Sequence, residues 1–364
     1  MTELYLPRGE CLWEKLGRSG APIVLYGTGN GADKLIATLH GRGLSPSGVF
    51  ASDGFVRRRT FAGMEVLSRE EAERRFGRNM TVLIAFGSSL PSVMEQMRDT
   101  AARYETYMPE LPLYGGGLFD YDTCAAHRAE LDAARAMLSD DGSRALFDDM
   151  IRFRLSGELR FLARTETPEE SYRTFFGSLP IRTAVDGGAF RGDSAAALLR
   201  AIPSLETVYA AEPDSRSFRR LSEYAAVSGG AVIPLSCALS DTETAAEFAA
   251  SGSRGAGAEG TARRAQTECV AFSTVDRIAA DTRVDLIKLD VEGGEARALA
   301  GASQTLRRDR PALAVSVYHR TDDIFALPLM LRDALRGPYT HHLRRAPCFP
   351  AWDLLWIAVP SDPL

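Results

Sequence analysis

Short apolar runs alternate with stretches of helical spacing in two blocks of the chain, and a block between them lacks the apolar runs. In the first block Ile23-Val24-Leu25-Tyr26 is a run of strand length that ends in Gly27-Thr28-Gly29-Asn30-Gly31-Ala32. From Asp33 to His40, Leu35, Ile36 and Leu39 fall on one helical face. Gly41 and Gly43 stop that helix, and Val49-Phe50-Ala51 predicts a second strand ending at Ser52-Asp53. A turn-rich stretch follows, then a helix over Arg69 to Phe76, a strand over Thr81 to Phe86 and a helix from Pro91 to Tyr104. Residues 1–120 thus read as a small Rossmann-like α/β unit.

Residues 121–180 carry long polar-apolar helical patterns over Ala125 to Leu138 and Ser143 to Leu155, with no strand-like run. They read as a helical connector whose last helix starts at Glu166-Thr167-Pro168-Glu169-Glu170, with Pro168 in its first turn. Alternation resumes at 181 and lasts to residue 364. Strands are expected at Thr183–Val185, Val208–Ala211, Val232–Leu235, Cys269–Phe272, Leu286–Leu289, Ala312–Val317 and Leu354–Val359. Helical segments between most of them predict a doubly wound α/β domain with a mostly parallel sheet covered on both faces. Residues 249–266, rich in Gly, Ala, Ser and Arg, read as a flexible loop with the composition of a lid.

Composition sets limits on this picture. The chain of 364 residues is 45% hydrophobic and 25% charged with a net charge of −5, which argues against nucleic acid or an anionic membrane as partner. No apolar run nears the roughly 20 residues that cross a bilayer. Glu3, Glu10 and Glu14 leave no signal-peptide core, so a cytoplasmic location is expected. The five cysteines form no CxxC pair and have no His at zinc spacing, which fits free thiols. Only Lys15, Lys34 and Lys288 among the 43 basic residues are Lys, and Lys288 falls inside a motif. A homo-oligomer stays open.

Four strand ends carry candidate chemistry. Val185-Asp186-Gly187-Gly188-Ala189-Phe190-Arg191-Gly192-Asp193-Ser194 is a strand that ends in an acid and a glycine turn opening a helix. Gly188 and Gly192 permit close ligand approach, and the helix N-terminus offers N–H groups to the crevice. Val208 to Ala211 ends in Glu212-Pro213, whose carboxylate suits the two hydroxyls of a ribose. Pro234 to Asp241 supplies the small residues Ala238 and Leu239 where an adenine would lie. No second GxGxxG accompanies these, so S-adenosylmethionine fits the order better than a dinucleotide. At the fourth end, strand alternation is expected to put Lys288, Asp290 and Glu292 on one face, with Gly293-Gly294 opening a helix.

These motifs resemble the FkbM family of S-adenosylmethionine-dependent methyltransferases. IKLDVEGGEARALAGA is similar to that family's K-x-D-x-E-G-x-E signature, DGGAFRG to its D-x-G-x-x-x-G loop, EPDSRSFRRL to its E-P segment and CALSD to its A-L-S-D turn. The tail PALAVSVYHRTDDIFALPLML is also similar, and the resemblance covers roughly 181–360, about half the chain. It implies a class I methyltransferase domain that methylates a hydroxyl of a sugar or of a glycosylated or secondary-metabolite product. It also implies that Asp186, Gly187, Gly188, Gly192, Glu212, Pro213, Ala238 and Leu239 hold the cofactor, while Asp290 and Glu292 face the methyl group and the acceptor. A sugar hydroxyl is a poor nucleophile, so a base must take its proton. Asp290, Glu292 and His319 are the candidates, and His319 is preferred because its intrinsic pKa is near neutral. Lys288 is expected to pair with Asp290 or Glu292. The same carboxylates with a third oxygen also suit Mg²⁺, although a metal-free site is the preferred reading.

The N-terminal block has Gly27-x-Gly29-x-x-Ala32, with Gly31 between and Asp53 some 26 residues beyond Gly27, on the pattern of a dinucleotide fingerprint. Yet Phe61-Ala62-Gly63-Met64-Glu65-Val66-Leu67 with Glu70-Glu71 resembles the small Rossmann-type domain that precedes some sugar-modifying acyltransferases and holds a nucleotide-sugar. An acceptor-binding module, an NAD-type site and an empty scaffold all remain open. The rival functions are therefore an NAD-type oxidoreductase, for which no Ser-Tyr-Lys set is found, and a non-catalytic nucleotide-sugar-binding protein. His40 and His127 carry little, and His341-His342 beside Arg344-Arg345 reads as a solvated edge.

Overall fold

The structure, a computed structural model, describes residues 5–52, 60–115, 117–250 and 266–362. Its N-terminal sheet comprises β1 (Ile23–Tyr26), β2 (Gly48–Phe50), β3 (Thr60–Phe61), β4 (Met64–Leu67), β5 (Thr81–Ile84) and β6 (Glu105–Tyr107), in the order β3-β4-β2-β1-β5-β6. All neighbours pair in parallel except the hairpin β3–β4. The unbroken apolar runs of β1 and β5 are buried throughout and sit at the centre, as a sheet covered on both faces requires. Strand order reverses between β1 and β5, which opens a crevice at their carboxyl ends. The edge strands β3 and β6 are only two and three residues long and largely polar, and β4, four residues between β3 and β2, follows a turn-rich stretch, so none of the three carries a clear strand signal in the sequence.

The helical pattern expected over Ala125 to Leu138 divides into two helices, Tyr121–Ala126 and Arg128–Met137, because His127 leaves helical geometry (φ −103°, ψ 24°). Asp120 caps the first, and Asp140 caps the longer helix Asp141–Ser156. Thr167 and Glu170 form a capping box at Pro168–Phe176, as the start signal predicts. These helices are not a slack tether. Phe147, Met150, Ile151 and Phe153 are fully buried in an apolar cluster shared with both sheets.

The C-terminal sheet is built from β7 (Thr183–Gly187), β8 (Thr207–Ala211), β9 (Val232–Leu235), β13 (Leu286–Leu289), β14 (Ala312–Ser316), β15 (Tyr339–Arg345) and β16 (Leu354–Pro360), ordered β15-β16-β14-β13-β7-β8-β9. Only β16 is reversed, running antiparallel to both of its neighbours, β14 and β15. The order reverses between β13 and β7, and register places Lys288 beside Asp186. One expectation is corrected: the strand around Cys269–Phe272 is absent from this sheet. It belongs to β12 (Gln266–Ser273), which forms a separate small sheet with β10 (Ala238–Leu239) and β11 (Thr244–Ala250). Ala249 and Ala250 end β11 and Gln266 starts β12, so both ends of the expected 249–266 loop are strand; residues 251–265 lie outside the described residues.

The His341-Arg345 cluster is also corrected. Strand β15 is a sheet edge, but the helix Asp141–Ser156 reaches it: Leu343 N donates to Ser143 Oγ at 3.0 Å and His342 Nδ1 lies 2.7 Å from Asp140. His341 is buried and 3.1 Å from Trp356 Nε1, and Arg345 is only 1% exposed. The run is a packed seam rather than a solvated edge. Among the described residues, no helix is long and apolar enough to cross a membrane.

Candidate active site

A cavity of about 1280 Å³ opens at the carboxyl ends of the central strands. Gly188, Glu212, Pro213, Ala238, Leu239, Lys288, Asp290 and Glu292 line it, whereas Asp186, Gly187, Gly192 and His319 do not. These four act from behind the wall.

Asp186, at the end of β7, is fully buried. Its Oδ1 lies 3.0 Å from Lys288 Nζ and its Oδ2 accepts from Ser194 Oγ at 2.6 Å. Lys288 also donates to the carbonyls of Gly187 (3.2 Å) and Gly188 (3.0 Å). Burial opposes the ammonium charge, but Asp186 and then Asp290 outweigh it and hold Lys288 well above the ordinary lysine range. The expected pairing with Asp290 or Glu292 is thus replaced by a pairing with Asp186, because parallel register aligns the two side chains across β7 and β13. Together they clamp the glycine turn.

That turn differs from an open anion nest. Gly188 N and Ala189 N both donate to Ala211 O, Gly192 N to Ala189 O, and Phe190 N to Glu212 Oε2 at 2.8 Å. Gly188 has φ +73°, and a Cβ there would stand 1.9 Å from Asp290 O. The glycine lets two strand ends touch. Glu212 Oε1 accepts from Asp214 N at 2.9 Å, while the following helix is capped by Asp214. Glu212 is therefore no helix cap: it faces the cavity. Burial raises its pKa to about 7 against the two backbone N–H bonds that lower it.

Beyond β13 the backbone leaves strand geometry, so the expected alternation over Lys288, Asp290 and Glu292 does not extend past Leu289. Glu292 instead reaches the cavity from a left-handed conformation (φ +56°), an unfavourable state for a side-chain-bearing residue that recurs at functional sites. Its Oε2 accepts from Tyr114 Oη at 2.8 Å and lies 3.4 Å from His319 Nε2. Asp290 Oδ1 accepts from Tyr318 Oη at 3.2 Å and lies 3.5 Å from the same His319 atom. His319 Nδ1 is 2.9 Å from Glu295 Oε1, which also accepts from Val291 N. Burial opposes a charged imidazole, yet Glu295, Glu292 and Asp290 together raise His319 well above the ordinary histidine range. Burial likewise pushes Asp290 up, but Lys288 and His319, with bonds from Ser316 and Tyr318, bring it below the usual carboxylate range.

His319 consequently suits the role of a fixed imidazolium that aligns carboxylates. A histidine already protonated and sealed from the cavity is poorly placed to take a proton. Asp290, Glu295 and His319 each bring a ligand atom within 4.8 Å of the others. Tyr114, Tyr318 and Glu295 escaped the sequence reading. Tyr114 is separated from Glu292 by 178 positions, so no local pattern links them.

In the N-terminal block, Gly27, Gly29 and Gly31 line a second cavity of about 1090 Å³ between β1 and β5. Asp53 lies outside the described residues.

Sheet order and site together define a doubly wound α/β protein with a ligand crevice at the carboxyl ends of its parallel strands. Residues 186–345 match the family described as the Methyltransferase FkbM domain. Among solved structures, the chain is similar to a methyltransferase FkbM from Methylobacillus flagellatus, with 19% identity and a TM-score of 0.69 over 98% of this chain and 94% of that one. The N-terminal sheet is therefore part of a shared fold. An rRNA methylase from Streptococcus thermophilus (13% identity, TM-score 0.36, 55% of this chain and 100% of that one) is also similar. So is an O-methyltransferase of tomaymycin synthesis from Streptomyces achromogenes, solved with SAM (12% identity, TM-score 0.35, 65% and 96%). No curated protein matches the chain.

Proposed function

We propose that the chain transfers the methyl group of S-adenosylmethionine to a hydroxyl of a carbohydrate-like small molecule. The observation that supports this reading most is one cavity with Glu212 at one strand end and Asp290 and Glu292 at another. When bound, S-adenosylmethionine supplies a methyl group on a sulfonium centre, open to in-line displacement. Glu212 would accept hydrogen bonds from the ribose hydroxyls, and Ala238 and Leu239 would flank the base. The saturated turn at Gly188 leaves those N–H groups no spare capacity for a diphosphate, which favours this cofactor over a dinucleotide.

Glu292 takes the acceptor proton as the new C–O bond forms and the C–S bond breaks. Its carboxylate lines the cavity and is oriented by Tyr114 and His319. Asp290, held ionised, fixes the geometry with Tyr318. Positioning carries much of such a rate, and the base contributes on the order of 10²–10⁴.

Calorimetry with S-adenosylhomocysteine and a turnover assay on a panel of hydroxylated glycosides test this. Glu292→Gln is expected to bind S-adenosylhomocysteine like the unaltered chain and to lose roughly 10²-fold or more in turnover. Absence of S-adenosylhomocysteine binding, or unchanged turnover in Glu292→Gln, would defeat the proposal.

A further inference from the structure

The turn at 346–353, which joins β15 to β16, contributes Trp352 and Asp353 to the wall of the methyl-transfer cavity. It is pinned to its neighbours. Ser88 N donates to Phe349 O at 2.7 Å, Phe349 N donates to Ser88 O at 3.0 Å, and Ala346 N donates to Asp353 O at 3.1 Å. Behind the turn Arg345, 1% exposed, donates to Cys348 O at 2.6 Å and to Leu162 O. The half-buried indole of Trp352 packs on Gly87, where a Cβ would stand 2.4 Å from its Cζ3. A side chain at position 87 would displace the ring, so glycine gives the indole a fixed seat beside the cavity.

Asp353 reaches the cavity from a left-handed conformation (φ +55°), almost the same as that of Glu292 (φ +56°). Aspartate tolerates this state better than most residues. Contacts join the two acids along one wall. Glu292 and Asp290 both approach His319 Nε2, at 3.4 and 3.5 Å. Asp290 and Asp353 both approach Tyr318 Oη, at 3.2 and 3.4 Å. Burial, then Asp290 and Asp353, raise the Tyr318 hydroxyl well above the ordinary tyrosine range, so it keeps its proton. A phenol brings a single proton, whereas each carboxylate has about four acceptor sites. This wall can therefore take hydrogen bonds from hydroxyls beyond what Tyr318 supplies.

Charge narrows the choice of ligand. Among the cations that line the cavity, Lys288 is held by Asp186, Arg297 by Asp241, and Arg173 and Arg200 by Glu169. An anionic group set against Asp290, Glu292 and Asp353 would meet like charge, which disfavours it. A saturated ring with neighbouring hydroxyls fits better. Its C–H face covers the indole, and the hydroxyls on its rim donate to the carboxylates.

We propose that Trp352 and Asp353 position the acceptor as a neutral sugar ring. Trp352 packs against the C–H face, and Asp353 accepts from a hydroxyl next to the one that reacts at Glu292. The identity of the reacting hydroxyl rests on the methyl-transfer reading above; sugar binding at Trp352 and Asp353 does not.

Saturation-transfer NMR titrations on the full chain, with S-adenosylhomocysteine present, test this using the methyl glycosides of glucose, galactose and mannose and of their uronic acids as probes. At least one neutral glycoside is expected to bind, and its uronic acid at least about tenfold more weakly. Asp353→Asn keeps a residue suited to positive φ, and Trp352→Leu keeps an apolar side chain on Gly87. Each is expected to weaken the glycoside at least about tenfold while calorimetry shows S-adenosylhomocysteine within about twofold. One monodeoxy derivative of that glycoside should bind the unaltered chain more weakly and lose nothing further in Asp353→Asn. An Asp353 that served only the buried Arg345, which feels its charge, would instead weaken the parent and every derivative alike. The inference is overturned if no neutral glycoside binds, if the uronic acid binds as tightly, if either variant binds like the unaltered chain, or if Asp353→Asn weakens every monodeoxy derivative as much as the parent. Methyl transfer to the bound glycoside is read separately as S-adenosylhomocysteine formed from S-adenosylmethionine. Glycoside binding that depends on Asp353 without any transfer defeats the methyl-transfer reading and leaves the subsite standing.

Discussion

Lys288→Met separates the clamp described here from the catalytic lysine that its motif invites. Asp186 is 0% exposed and its Oδ1 has Lys288 Nζ at 3.0 Å as its partner, while Oδ2 keeps only Ser194. Methionine matches the lysine stem in length but leaves a buried carboxylate uncompensated. Breaking one side of such a pair costs about 3–5 kcal/mol. Loss of the donor to Gly187 O and Gly188 O adds to the same deficit. For a cooperative unit of 150–250 residues each kcal/mol moves Tm by about 2–4 °C, so a fall of roughly 10 °C is expected. Thermal unfolding followed by circular dichroism reads it directly. Adding Asp186→Asn keeps the bond from Ser194 and removes the stranded charge, so the double variant should recover at least half of the loss. A Tm within about 2 °C of the unaltered chain would refute the clamp, especially alongside lost turnover. A double variant no more stable than Lys288→Met would refute the electrostatic explanation.

Glu212 gives a pH test. With a folded pKa near 7 against an ordinary 4.5, its contribution to stability is fully present below about 4.5 and is lost as pH rises through 7. Ribose hydroxyls donate to the ionised carboxylate, so affinity for S-adenosylhomocysteine should run the other way and increase from pH 6 to 8, approaching tenfold per unit on the acid side. Calorimetry across that range should show the trend flattened in Glu212→Gln, and an equal slope in both proteins would exclude Glu212 as its source. Gly188→Ala should lower Tm by about 5 °C or more, since its methyl meets Asp290 O at 1.9 Å in a φ +73° conformation; an unchanged melting curve would mean that the strand ends separate freely.

Much of the architecture follows from local pattern. The apolar run at Ile23–Tyr26 and the run Leu286–Leu289, broken only by Lys288, became central buried strands. The Ser68–Glu71 and Thr167–Glu170 boxes mark helix starts by contacts three residues apart. Glycine loops and strand-end acids were legible for the same reason: chain direction alone puts them at the carboxyl edge of a parallel sheet. Partnership was not legible. Lys288 stands two positions from Asp290, yet it pairs with Asp186, 102 positions earlier, because sheet register makes them neighbours. Glu292 meets Tyr114 through an interface between distant segments, and three carboxylates around one buried ring raise the pKa of His319 well above the ordinary histidine range. Side-chain type and secondary structure are set by short-range sterics and periodicity, which the sequence carries. Which charges face one another, and hence which proton can move, depends on burial and long-range contact that only the folded chain creates.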